Sequence, residues 1–188
     1  MLKKIIFIVA VFTAPMLLAQ GTEAPSKHAY VGAEVCGMCH KTEKAGKQFV
    51  IWKESAHAKA YETLKTEKAD SIAKAKGFTT KAVETEACLK CHVSGYNIDA
   101  SLKGPKFKME DGVQCETCHG PGADYKTLKI MKDKKEAIAN GLHFYSTEEE
   151  RVALCKTCHN SDSPTFDEKT ANFAAMWEKI KHVIPAAK

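Results

Sequence analysis

The eight cysteines of this chain stand in four pairs of one spacing, C-x-x-C: Cys36 and Cys39, Cys88 and Cys91, Cys115 and Cys118, Cys155 and Cys158. A histidine follows each pair directly: His40, His92, His119 and His159. Histidine is 8 of 188 residues, so four such coincidences arise by chance with a probability on the order of 10⁻⁶. The chemistry that needs this unit is covalent haem attachment. Two thiols add across the porphyrin vinyl groups, and the two-residue gap lets both sulfurs reach one edge of the ring. The adjacent imidazole then turns onto the iron as its proximal ligand. Disulfides would need no histidines. Zinc sites use two C-x-x-C pairs per metal and give no reason for a histidine after every pair. The sequence therefore predicts four covalently bound c-type haems.

Four further histidines remain, one for each iron: His28, His57, His143 and His182. Imidazole is a common sixth ligand of haem iron. His57 borders a face on which Phe49, Trp52, Ala56 and Ala60 keep helical spacing. His182 ends a stripe of Phe173, Met176, Trp177 and Ile180 that Pro185 closes off. His143 lies just past Gly141, a helix stop, between Leu142 and Phe144. His28 lies in the polar segment GTEAPSKHAY, near an end whose ordering costs entropy. Methionine ligation is disfavoured, since Met38 is inside the first unit, Met109 and Met131 are in Lys-rich stretches, and Met176 reads as core.

The elements that must position these groups read as helix and loop. Helices are expected over Glu43–Leu64 and Glu67–Lys76, the latter stopped by Gly77, and over Asp167–Lys181. Ser146 with Glu149 reads as a capping box opening the helix that carries Cys155. Residues 93–112 read as loop with at most a short strand, and no sheet pattern is present. The proximal histidines are separated by 52, 27 and 40 residues. So short a chain cannot build a conventional core around separate cofactors. The expected fold is all-α with extensive loops, the peptide wrapped around a core of four closely packed haems.

Met1-Leu2-Lys3-Lys4 is a basic start and Ile5 to Leu18 is almost wholly apolar, ending in small residues. This reads as a signal peptide over 1–19, with a single tetrahaem domain over 20–188. No other segment is apolar enough to span a membrane. The expected location is periplasmic or otherwise exported, where haem attachment of this kind takes place. The formal charge of +5 falls to about +3 without Lys3 and Lys4. With eight propionates and four ferric irons it becomes about −1, and about −5 when reduced. The Lys runs 126–135 and 103–108 therefore read as propionate partners and solvated faces rather than a nucleic-acid site. A docking patch for an acidic partner is the sharper alternative.

YVGAEVCGMCH at the first unit, WKESAHAKA after it, GVQCETCHGPG at the third, and CKTCHNSDSPTFD with WEKIKH at the fourth resemble the cytochrome c554 family. The resemblance implies an exported, mainly helical protein with haems in stacked pairs that passes electrons between redox partners. Another multihaem protein, a hydroxylamine-oxidising enzyme, is the donor for the founding members. It also implies three ligand pairs: His57 with His159, His143 with His40, and His182 with His119. The haem on His92 is left five-coordinate in that pattern unless His28 closes it, and the ordering cost of the N-terminal segment favours the open iron.

The expected function is electron transfer between redox proteins rather than catalysis, since nothing resembles an acid–base pair set in a pocket. Two rivals stand beside it. One is reduction of nitric oxide or hydroxylamine at an open iron. The other is a fixed wire within a larger redox assembly.

Overall fold

The computed structural model describes residues 28–182 together with 184 and 185. The signal peptide expected over 1–19 lies outside the described residues. Among the described residues ten α-helices follow one another: α1 Ala33–His40, α2 Gln48–Glu54, α3 Ala60–Leu64, α4 Glu67–Ala75, α5 Glu86–His92, α6 Cys115–His119, α7 Leu128–Met131, α8 Lys134–Ala139, α9 Glu148–Lys156 and α10 Phe173–Ile180. Among the described residues the only β-structure is an isolated parallel bridge, Tyr30 to Lys103. The all-α expectation holds, and residues 93–112 are loop and single 3₁₀ turns with no strand.

The polypeptide's own apolar core is small. Among the described residues nine hydrophobics are buried, and four of these are alanines. One cluster joins Leu64, Ala73 and Ala82, with Phe78, Val83, Cys88 and Leu89 packed against it. It fixes α3, α4 and α5 to one another. Thr66 caps α4 by accepting from the Ala69 N–H, and Gly77 at φ 86° ends it as expected.

Three expected helices differ. The single helix over Glu43–Leu64 is broken twice. Gly46 and Lys47 both adopt left-handed backbone and end a 3₁₀ turn before α2. Ser55 then turns extended, and its hydroxyl donates to the Trp52 carbonyl at 2.6 Å, which competes with helix continuation. Ala56 is therefore exposed and His57 sits in a turn rather than on a helical face. The last helix starts at Phe173, not Asp167. The Asp167 carboxylate accepts from the Lys169 N–H in a local turn, and Asn172 supplies the cap. The capping box lies one residue further on, at Thr147 with Glu150. Met176 is half-buried on α10 rather than core.

Candidate haem-binding site

Each cysteine–histidine unit occupies a short helix. The first, second and third form the ends or the whole of α1, α5 and α6, and the fourth runs off the end of α9. One helical turn carries the first cysteine to the histidine four residues on, so both thiols and the imidazole project from one local surface. In the fourth unit the His159 N–H donates to the Cys155 carbonyl at 2.8 Å, which continues the helical path past α9.

Tertiary contacts bring the units together. The thiols of Cys36 and Cys115 lie within interaction range of each other, as do those of Cys91 and Cys158. First and third units are thus neighbours, and so are second and fourth. As thiols, Cys91 is pushed up to about 11 by burial and by Cys158, and Cys118 to about 11 by burial and the nearby Cys155 and Cys158. The adjacent Cys36 thiol, with burial, raises Cys115 as well.

Two spare histidines face two unit histidines. The His57 and His159 rings have centroids 6.1 Å apart at 57°. The His119 and His182 rings stand 5.9 Å apart at 58°. An imidazole nitrogen lies about 2 Å from a metal it ligates and about 1 Å from its ring centre, so two imidazoles on opposite sides of one metal have centroids roughly 6 Å apart. Both pairs suit that spacing. Burial lowers the pKa of His57, His119 and His159, and the facing or neighbouring histidines lower it further. The neutral imidazole is the form that ligates a metal.

The orientation of the rings is also built in. His92 meets the Ala60 carbonyl through Nδ1 at 2.8 Å, and His182 meets the Ile180 carbonyl through Nδ1 at 3.3 Å. Spending Nδ1 on the backbone leaves Nε2 as the ligating atom. His28 makes the same use of Nδ1, against the Asp124 carboxylate, with its ring beside Gly141. His143 is placed by its N–H, which donates to the His119 carbonyl at 2.9 Å. His40 and His143 both lie within electrostatic range of His119. Among the described residues no ring contact joins His40 to His143 as in the other two pairs.

The donor set fits four porphyrins. Four thiol pairs, four adjacent imidazoles and facing imidazoles at a two-ligand spacing suit rings attached at an edge and ligated through the iron. Among the described residues no three His, Cys, Asp or Glu side chains gather to hold a bare metal ion.

Residues that sequence reasoning passed over hold this arrangement together. Glu116, between the two cysteines of the third unit, is 2% exposed. Its carboxylate accepts from the backbone N–H groups of Val31, Gly32 and Gly122 at 2.8, 2.8 and 2.7 Å. Gln114 accepts from the Ala33 N–H at 3.0 Å and donates to the Lys108 carbonyl at 2.6 Å, while its own N–H donates to Ser94 Oγ. Trp52 Nε1 donates to the Val113 carbonyl at 2.8 Å, and the Val113 N–H to the His57 carbonyl at 3.0 Å. The segment 112–116 therefore fastens the first unit, the end of the second and the His57 turn to the third. A carboxylate within C-x-x-C is a visible signal, but two of its three partners are backbone groups 84 and 85 residues away.

Residues 35–120 match the family model described as cytochrome c554 and c-prime. Over 120 residues the chain is 34% identical to cytochrome c-554 of Nitrosomonas europaea, a stretch of 62% of this chain and 48% of that relative. The chain thus matches about half the length of that curated relative. The solved structure of the reduced state of cytochrome c554 from Nitrosomonas europaea aligns with a TM-score of 0.55 at 26% identity, covering 85% of this chain and 86% of that one. The shared fold is that of an all-α multihaem cytochrome.

Proposed function

Because this chain is related to the cytochrome c554 family in both sequence and fold, we propose that it is an exported tetrahaem c-type cytochrome that passes electrons between redox proteins. The observation that supports this most directly is the pairing of two unit histidines with two distant spare ones at a spacing suited to one metal between them. The eight cysteines hold the four macrocycles, with His40, His92, His119 and His159 as proximal ligands. His57 with His159, His182 with His119, and His143 with His40 would hold three of the irons. Each haem, when bound, supplies a one-electron ferric/ferrous couple.

What the polypeptide does is position and insulate. The backbone acceptors at His92 and His182 fix which nitrogen is offered. Burial favours the neutral imidazoles of His57, His119 and His159 and sets the local dielectric, a lever on reduction potential. The nearness of thiols from different units would bring neighbouring macrocycles close when bound, so that electrons would need no protein redox group between them. The haem on His92 is left without a second histidine, as the resemblance implies.

Intact mass after acid–acetone extraction tests the cofactor content. The expected value includes four covalent haems, and a mass of bare polypeptide overturns the proposal. A potentiometric titration of the holoprotein should then show reversible one-electron steps accounting for all four haems.

A further inference from the structure

We propose that the face formed by α7, α8 and Phe144 is the docking surface for an acidic electron-transfer protein. The proposal rests on the electron-transfer function above and adds where the partner lands and what kind of surface it carries.

Five lysines lie within ten residues here: Lys126, Lys129, Lys132, Lys134 and Lys135. All are exposed, and none makes an ion pair among the described residues. Three acids lie among them, Asp124, Asp133 and Glu136, so the segment keeps an excess of two positive charges. Asp133 is spent as the α8 cap, accepting from the Lys135 and Glu136 N–H groups, and Asp124 contacts His28. The other lysine run is sparser, with Lys106 and Lys108 exposed. Lys103 is half-buried, bridges Tyr30 through its backbone and reaches over the Phe107 ring.

Large apolar side chains lie among these lysines. Leu128 is 66% exposed, Ile138 46% and Phe144 45%. Lys134 and Ile138 are one turn apart on α8, and Lys134 Nζ stands 3.3 Å from the Phe144 ring centre. Buried Ala137 anchors α8, and the Leu142 N–H donates to its carbonyl. An apolar patch set among unpaired cations suits a brief, electrostatically steered encounter with an acidic surface. It also lies beside the cofactors: Phe144 follows His143, whose N–H is bonded to the carbonyl of His119. A partner docked on Phe144 therefore stands next to a ligand-bearing loop.

The test uses the haem-loaded protein and flavodoxin hydroquinone as an acidic electron donor, followed by stopped flow. The second-order rate should fall about tenfold from low to physiological ionic strength. Reversing Lys129, Lys132, Lys134 and Lys135 to Glu should lower the low-salt rate by about tenfold or more. The same change at Lys68 and Lys74 on α4 should leave it within about twofold. Ile138→Ser should lower the rate while keeping the salt dependence. Reduction by dithionite and haem content should not change in any of these variants. If the Glu set loses haem, the matching Lys→Gln set replaces it, with an expected loss of about threefold. Haem present with rates unchanged overturns the docking surface alone. Loss of binding to phosphatidylglycerol vesicles with an unchanged flavodoxin rate also overturns it, assigning the lysines to a membrane. A wild-type chain without haem overturns the function, and the docking surface with it.

Discussion

The imidazole of His57 faces that of His159 at 6.1 Å, centroid to centroid, though one lies in the turn after α2 and the other past the end of α9. The pair is held from both sides. The Val113 N–H donates to the His57 carbonyl, and the His159 ring also packs against Phe166 at 5.3 Å. If the two share one iron, removing His57 strips a single haem of its sixth ligand. His57→Ala should convert one haem of four to high spin and shift one potential. His182→Ala should do the same to a different haem. Electron-resonance spectra with a redox titration check both, and an unchanged spectrum for His57→Ala would remove the pairing.

The open iron is expected at His92. Wild-type ferric protein should show a high-spin signal and bind nitric oxide, and His28→Ala should leave that signal unchanged. A wild type that is wholly low-spin, with a high-spin signal appearing in His28→Ala, would instead place His28 on the iron.

Glu116 should be the most sensitive structural position in the attachment segment. Its truncation leaves three buried backbone N–H groups without acceptors, at a cost of about 3 kcal/mol or more. Glu116→Ala should lower the melting temperature and the yield of fully haem-loaded protein. Glu116→Gln, which keeps one carbonyl oxygen, should do less of both.

Gly112 has φ 73°, and a Cβ there would lie 2.6 Å from the His57 carbonyl oxygen. Gly112→Ala should therefore cost about 1–3 kcal/mol in backbone strain and displace the His57 turn. Thermal unfolding measures the first effect, and loss of low-spin character at one haem reports the second.

The Glu150 carboxylate is held below its ordinary pKa of 4.5 by the Thr147 and Ser146 backbone N–H groups, then by the Ser146 hydroxyl. A depressed carboxylate adds stability that is complete above its unfolded value and is lost as pH falls through the lower, folded one. The start of α9, and with it the approach to Cys155, should fray only below pH 4.5. Amide exchange at Thr147 should accelerate there. Glu150→Gln should abolish that pH dependence.

The sequence by itself carried the expectation of covalent haem. C-x-x-C-H is local, and its function needs only that two thiols and one imidazole share a turn of chain, which α1, α5 and α6 supply. The helix stops at Gly77 and Gly141 were legible for the same reason, since a left-handed residue ends a helix whatever surrounds it. Local periodicity misled at Glu43–Leu64, because Ser55 and a distant donor, the Val113 N–H, hold the chain open around His57. The assembly itself was decided only by tertiary structure. Cys36 meets Cys115 because the backbone N–H groups of Val31, Gly32 and Ala33, more than 80 residues away, donate to the buried Glu116 and Gln114, and Cys91 meets Cys158 beside the Lys90–Asp162 ion pair. Backbone N–H groups are the same at every residue, so no side-chain pattern announces which of them a buried carboxylate will gather.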